Sequence, residues 1–146
     1  MSGDHVSLAE RQAELVAALV RGGSPPPGFD TRLLAAARAA LLSKRAEEVA
    51  RVWPRLAGAY GARWSEVFGQ WARTRAPTGS LRDGWDFAAE HPPAGMAMAE
   101  LRVTQALWKP GKTALRRRRL PAVRLCHDGT RRVLIVQLAG RVYLLP

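Results

Sequence analysis

The amino-acid sequence predicts an α+β fold, with an N-terminal helical bundle followed by a small C-terminal antiparallel three-stranded β-sheet. Two observations predict it. As far as Trp108 the apolar residues recur mainly at helical spacing, and from Pro121 onwards they form short β-branched and aliphatic runs separated by tight turns. We therefore expect the 146 residues to form a helical domain over 1–108 and a basic, β-rich module over 109–146 that packs on it.

The first helix is predicted to begin at a capping box. Ser7 is followed three residues later by Glu10, so each side chain can accept a hydrogen bond from the backbone N–H of the other residue. The glycines at 22–23 are expected to end this helix. The proline-rich segment 24–28 is expected to form a stiff loop, because proline removes a backbone donor and fixes φ.

Four further helices are predicted in the part of the chain where apolar residues recur at helical spacing. One begins at the N-cap Asp30 and ends at about Trp53, because the residue before a proline avoids the α region. The next presents an apolar face that we expect to lie in the core, formed by Trp64, Val67, Phe68 and Trp71. A short helix from Ser80 and a longer one from Met96 to Trp108 complete the helical part.

Three apolar runs near the C-terminus predict an antiparallel meander. They cover 121–126, 132–138 and 141–145, and the first turn contains Asp128-Gly129, which is a strong hairpin signal. The middle run is apolar at consecutive positions, so we expect helices to cover it. The contacts are predicted to come from Val133, Ile135 and Leu138.

Positive charge is concentrated in the C-terminal third. The whole chain carries a formal net charge of +11, and residues 102–146 hold eleven Lys or Arg against Asp128 alone, which gives +10 for that segment. Such asymmetry indicates a polyanionic or acidic partner. The predicted binding residues are Arg116, Arg117, Arg118, Arg119, Arg124, Arg131, Arg132 and Arg141. The run 116–119 also fits a solvated connector between helix and sheet, and both interpretations stay open.

No motif predicts catalysis, a cofactor or a metal site. Cys126 is the only cysteine, so neither an internal disulfide nor a thiolate cluster is possible. We expect it to be buried, with His127 on the opposite face of the strand. The segment 109–113 shares letters with the end of a phosphate-binding loop but lacks its first glycine. Asp83 and Asp86 are expected to be capping or surface groups.

Neither a signal peptide nor a membrane span is predicted. The first residues have no basic and apolar regions, and no apolar run approaches the ~20 residues that a spanning helix needs. We therefore expect a cytoplasmic protein with no membrane partner.

A diffuse pattern over roughly residues 8–108 resembles a bacterial family of unknown function that is named as a DNA-binding domain. In that family an arginine-bearing helix ends in an aromatic-proline step, and a short helix, a glycine and a helix with an inward phenylalanine follow. The matching parts here are Arg38–Arg45, Val52–Pro54, Leu56–Gly61, Phe68, Pro77, Ser80, Leu81, Gly84, Phe87 and Met98–Leu101.

The resemblance implies a partner role. Despite its name, the family is similar to the small partner subunits of multinuclear non-haem iron-dependent oxidative enzymes, which modify cysteine-containing precursor peptides, as in methanobactin biosynthesis. Such a partner contributes no iron ligands, clasps the barrel enzyme and helps hold the leader of the precursor peptide. The expected function is therefore that of a non-enzymatic accessory protein in the biosynthesis of ribosomally made peptides. The alternative is a nucleic-acid-binding protein that uses the basic C-terminal module.

Overall fold

The computed structural model describes residues 7–21, 28 and 30–146, and it confirms the predicted α+β class. The glycines at 22–23 and most of the predicted loop at 24–28 lie outside the described residues. The helices are α1 (Leu8–Arg21), α2 (Thr31–Val52), α3 (Pro54–Tyr60), a 3₁₀ turn (Gly61–Arg63), α4 (Trp64–Ala72), α5 (Ser80–Glu90) and α6 (Gly95–Leu107). The strands are β1 (Trp108–Pro110), β2 (Leu115–Arg117), β3 (Ala122–His127), β4 (Arg132–Leu138) and β5 (Arg141–Leu145).

Both predicted N-terminal caps are confirmed. The backbone N–H of Ser7 donates to Oε2 of Glu10 (2.7 Å), and the N–H of Glu10 donates to Oγ of Ser7 (3.2 Å). Asp30 accepts from the N–H of Arg32 (2.8 Å) at the start of α2. These side chains satisfy amide groups that have no partner within the helix, which is why the helices begin where they do.

The helical part is held together by an aromatic core. The predicted apolar face of α4 is confirmed, because Trp64, Phe68 and Trp71 are buried. All three surround Phe87 of α5, whose ring centroid lies 5.3–5.7 Å from theirs. Trp53 is fully buried between α2 and α3. Large aromatic side chains at these separations pack in tilted and edge-to-face arrangements, which accounts for a core rich in aromatic residues.

A second core joins α6 to the three-stranded sheet, whose order is β3-β4-β5 with antiparallel pairing. Ala106 of α6 packs there with Cys126, Val133 and Ile135. The predictions for Val133, Ile135 and Cys126 are thus confirmed, and His127 lies on the opposite face of β3 from Cys126, as predicted. The prediction for Leu138 is wrong, because it is exposed and Gln137 is buried instead. Side chains alternate along a strand, so positions 133, 135 and 137 share one face and 138 lies on the other.

Within the part of the chain that the structure describes, helices cover one face of the sheet. The sequence predicts a middle strand covered on both sides, whereas Leu134 and Val136 are only half-buried on the face that points away from α6. We call this second face the outer face. The correction follows from the position of α6, which packs on β3 and β4 from one side.

The segment after α6 contains a β-ribbon that the sequence does not predict. Strand β1 follows α6 directly and pairs with β2, with Lys109 opposite Arg116. Gly111 permits the tight connection, because a Cβ there would lie 2.4 Å from the backbone oxygen of Ala114. The two strands have three residues each and carry several charges, so no apolar alternation marks them.

Candidate partner-binding site

A buried ion pair connects α2 to α5. Nε of Arg45 lies 2.7 Å from Oδ2 of Asp83, and the two side chains are 11% and 3% exposed. The guanidinium also donates to the backbone oxygens of Arg75 and Ala76, and Asp83 accepts from both the N–H and the hydroxyl of Thr78. The sequence predicts a capping or surface role for Asp83; the surface role is wrong because the side chain is buried, whereas the bond from the Thr78 N–H lies at the N-terminal end of α5. These contacts link α2 and α5, and both side chains also line an open surface cleft together with Arg75 and Asp86.

Apart from Arg124, the predicted basic residues fall at two opposite ends of the three-stranded sheet. Arg141 lies at the β4–β5 turn, and Arg131 and Arg132 lie at the β3–β4 turn. These turns are separated by the length of β4, or about 20 Å at ~3.3 Å per residue. The arginines therefore form two groups and not a single patch.

One group, which we call the basic end, surrounds an open groove. Lys109 and the run 116–119 line this groove together with Leu120. Gln137 brings the segment next to the β4–β5 turn, because its amide, oriented to satisfy both partners, faces the Leu120 oxygen (2.9 Å) and the Gly140 N–H (2.8 Å). The basic end thus joins the groove to Arg141.

Arg118 differs from its neighbours in the run. Its Nε donates to the backbone oxygens of Gln105 (3.0 Å) and Trp108 (3.2 Å), and its own N–H donates to the oxygen of Leu107 (2.7 Å). These bonds satisfy carbonyl groups at the C-terminus of α6, where a cation also interacts favourably with the helix dipole. Arg118 is half-buried, whereas Arg116, Arg117 and Arg119 are exposed.

The arginines at the other end and in the middle of the sheet have different surroundings. Nε of Arg131 lies 3.8 Å from Oδ2 of Asp128, and Oδ1 of the same carboxylate accepts from the backbone N–H groups of Thr130 and Arg131. These backbone bonds, with a smaller contribution from the nearby guanidinium of Arg131, hold the pKa of Asp128 below its usual range. Arg124 is half-buried and lies in register with Ile135, on the face that α6 covers. It therefore shares no face with Arg132 and Arg141.

Both outer strands of the meander have a free edge. Strands β3 and β5 each have one neighbour, β4, among the described strands. Four of the five residues of β5 are exposed, and Arg141 of the basic end begins the strand. An edge strand presents backbone N–H and C=O groups that another extended chain can pair with.

The candidate chemical groups are few. Cys126 is buried, and this burial raises the pKa of its thiol. The negative charge of Asp128 raises the pKa further by a smaller amount, whereas the positive charge of Arg102 lowers it. The thiol is thus kept protonated and poorly nucleophilic. Within 7–21, 28 and 30–146, no three His, Cys, Asp or Glu side chains are grouped to hold a metal ion. No helix in the described part of the chain is long and apolar enough to cross a bilayer.

The outer face is the candidate surface that sequence reasoning missed. It presents apolar side chains from all three strands in two cross-strand rows. The rows are Val123–Val136–Tyr143 and Leu125–Leu134–Leu145. The sequence does contain a signal for this face, because each of the three runs carries apolar residues at the positions that point to it. The same pattern is expected for a sheet covered on both faces, so the sequence does not show that this face is exposed.

Comparison with known proteins identifies relatives of this chain. The family described as SCO6045-like, C-terminal domain matches residues 9–93. A relative from Streptomyces avermitilis, described as a UPF0276 protein, is 38% identical over 133 residues. The aligned region covers 88% of this chain but only 27% of that relative, so the chain spans about a quarter of the relative's length. No solved structure matches the chain.

Proposed function

We propose that this chain, which belongs to the SCO6045-like, C-terminal domain family, is a non-catalytic partner of a peptide-modifying multinuclear iron oxidative enzyme. It binds this enzyme and helps recruit the precursor peptide through the leader. The observation that carries the proposal is the free edge of β5 beside the basic end.

The peptide-binding step follows from the chemistry of that edge. An extended peptide that pairs with β5 gains main-chain hydrogen bonds, and this mode of recognition needs no deep pocket. The exposed arginines of the basic end favour acidic side chains in the peptide, because opposite charges raise the rate of encounter. A leader with acidic and apolar residues in alternation is thus the expected ligand.

The non-catalytic role is supported by how the fold uses its buried and half-buried polar groups. Arg45 and Asp83 bind each other and neighbouring backbone groups. Glu100 accepts from the backbone N–H groups of Arg55 and Leu56 at the start of α3. Cys126 is packed in the second core. Each of these groups has partners within the fold, and only Arg45 and Asp83 of this set line the same open surface cleft.

The partner role is supported by the relative from Streptomyces avermitilis. There the segment similar to this chain is joined to a much longer stretch of the same polypeptide. Segments that occur in one polypeptide are held at high effective concentration, so a module that acts beside a larger component benefits from the connection. We infer that this chain works with such a component.

Affinity capture tests the enzyme-binding part of the proposal. The tagged full chain is purified from its native cells after nuclease treatment, bound proteins are identified by mass spectrometry, and their iron is measured by elemental analysis. We expect one iron-containing enzyme in stoichiometric amount. A chain that elutes without any protein contradicts the proposal.

The peptide-binding part is tested with the precursor peptide encoded beside the captured enzyme. Arg119→Glu and Arg141→Glu reverse two charges at the basic end, whereas Arg63→Glu reverses an exposed charge in the helical part. We expect the first two variants to weaken peptide binding and the control to leave it unchanged. Equal affinities for all three variants contradict peptide binding at the basic end.

The groove at the basic end also favours a second candidate function, which is nucleic-acid binding. Its five cationic side chains suit a phosphate backbone. In that case extracts without nuclease yield nucleic acid bound to the chain, and raising the salt concentration releases it, with affinity falling steeply between low and moderate salt.

A further inference from the structure

The outer face has the composition of a protein interface. Val123, Leu125, Tyr143 and Leu145 are each about half exposed there, and Leu134 and Val136 lie between them. Single exposed apolar residues are ordinary on a protein surface, whereas a contiguous patch bounded by polar residues is typical of an interaction site. Tyrosine is also enriched among the residues that dominate binding energy, and Tyr143 lies in one of the two rows.

Positive charge borders this patch at both ends. Arg132, which is in register with His127, lies next to the row that contains Leu134. Arg141, which is in register with Leu138, lies next to the row that contains Val136. Because side chains alternate, both arginines share the outer face with the apolar rows. Asp128 is the only acidic residue of the segment 102–146, and it lies in the β3–β4 turn and not on a strand. An apolar centre with a basic border therefore requires an occupant with an apolar centre and an acidic border.

We propose that the outer face is the surface that binds the larger partner protein, whose contact surface is apolar at its centre and acidic at its border. This rests on the proposed function and assigns its two tasks to different surfaces. The β5 edge takes the peptide, and the outer face takes the enzyme. A second copy of this chain is a poor occupant, because it brings Arg132 and Arg141 of each copy into a strongly positive contact.

Two leucines of equal exposure allow a matched test. Leu125 and Leu144 are both 60% exposed, but Leu125 lies on the outer face and Leu144 is in register with Ile135 on the opposite face. The probe is the iron-containing protein that co-purifies with the wild-type chain, and its dissociation constant is measured by calorimetry. We expect Leu125→Lys and Tyr143→Lys to weaken binding at least about tenfold, and Leu144→Lys to change it less than about threefold.

The border charges give an independent readout. Arg132→Glu, at the opposite end of β4 from the basic end, is expected to slow association with the iron-containing protein at low salt, and the difference from wild type is expected to shrink as salt is added. Circular dichroism and thermal melting establish that each variant is folded. Tyr143→Lys keeps the test valid where Leu125→Lys fails to fold.

The possible results separate this inference from the proposed function. If all three lysine variants bind the iron-containing protein like wild type, the outer face is not the binding surface, and the partner role stands. If the wild-type chain retains no such protein, both proposals are wrong. If sedimentation shows a wild-type dimer that Leu125→Lys and Tyr143→Lys dissociate, a second copy occupies the face and this inference is overturned.

Discussion

Asp83→Asn is expected to destabilise the protein far more than Asp86→Asn. The two aspartates make ion pairs of the same type and length, since each Oδ2 lies 2.7 Å from the Nε of an arginine. They differ in burial. The Arg45–Asp83 side chains are 11% and 3% exposed, and the Arg82–Asp86 side chains are 25% and 34% exposed. The Nε–Oδ2 distance is the same in both pairs, so the comparison measures the effect of burial together with the two bonds that Asp83 accepts from Thr78.

The magnitudes follow from the environment of each pair. Removing one partner of a buried pair costs about 3–5 kcal/mol, because it leaves an uncompensated charge in the interior. Arg45 keeps its bonds to the oxygens of Arg75 and Ala76, so we expect the lower value, about 3 kcal/mol. The Arg82–Asp86 pair is half-buried and lies within one helix at i, i+4, and we expect it to contribute about 1 kcal/mol or less. For a chain of this length the buried substitution then lowers Tm by roughly 6–12 °C.

Urea unfolding at pH 7, with the free energy extrapolated to water, measures both substitutions. The two curves are compared at equal slope, because a changed slope indicates a changed unfolded state. If Asp83→Asn costs no more than Asp86→Asn, the Arg45–Asp83 pair does not hold α2 to α5, and our account of this pair is wrong.

Three further predictions concern other parts of the fold. Gly84→Ala is expected to cost about 1–3 kcal/mol in urea unfolding, because its Cβ would lie 2.2 Å from Nε1 of the buried Trp53. Gly69→Ala, whose Cβ meets nothing within 4 Å, is the control and should stabilise its helix by roughly 0.5–1 kcal/mol. Glu100→Ala removes both acceptors at the start of α3 and should cost about 1–2 kcal/mol, and a cost near zero contradicts the capping role. Cys126 should react with iodoacetamide at pH 8 at least roughly tenfold more slowly in the native chain than in urea, because burial raises the pKa of its thiol and leaves less thiolate. Equal rates show that the thiol is accessible.

Local features of the chain were predictable from sequence. The capping box at Ser7–Glu10 and the cap at Asp30 depend on residues within a few positions of each other, and both are present. The apolar face of α4 and the alternation in β4 likewise follow from the period of a single element. The three-stranded meander was predictable because short turns leave adjacent strands few alternatives to pairing.

Features that join distant parts of the chain were decided by the tertiary structure. Asp83 is buried because Arg45, 38 residues away, reaches it, and nothing next to Asp83 in the sequence signals that pairing. The arginines of the tail look like one cluster in the sequence, but β4 places them at opposite ends of the sheet. Arg118 is separated from its neighbours by its bonds to the end of α6.

The sequence by itself determined that this protein has helices followed by a basic antiparallel sheet, because apolar periodicity and turn residues act over a few positions. Only the tertiary structure decided which face of that sheet is covered. All three strands carry apolar residues on both faces, so the pattern alone is symmetric. Helix α6 packs on one face and buries Val133 and Ile135, and the outer face is left for a partner in our proposal. Which face is covered depends on where α6 lies relative to the sheet. That position is set by the packing of the whole molecule and cannot be read from the residue pattern of one helix or strand.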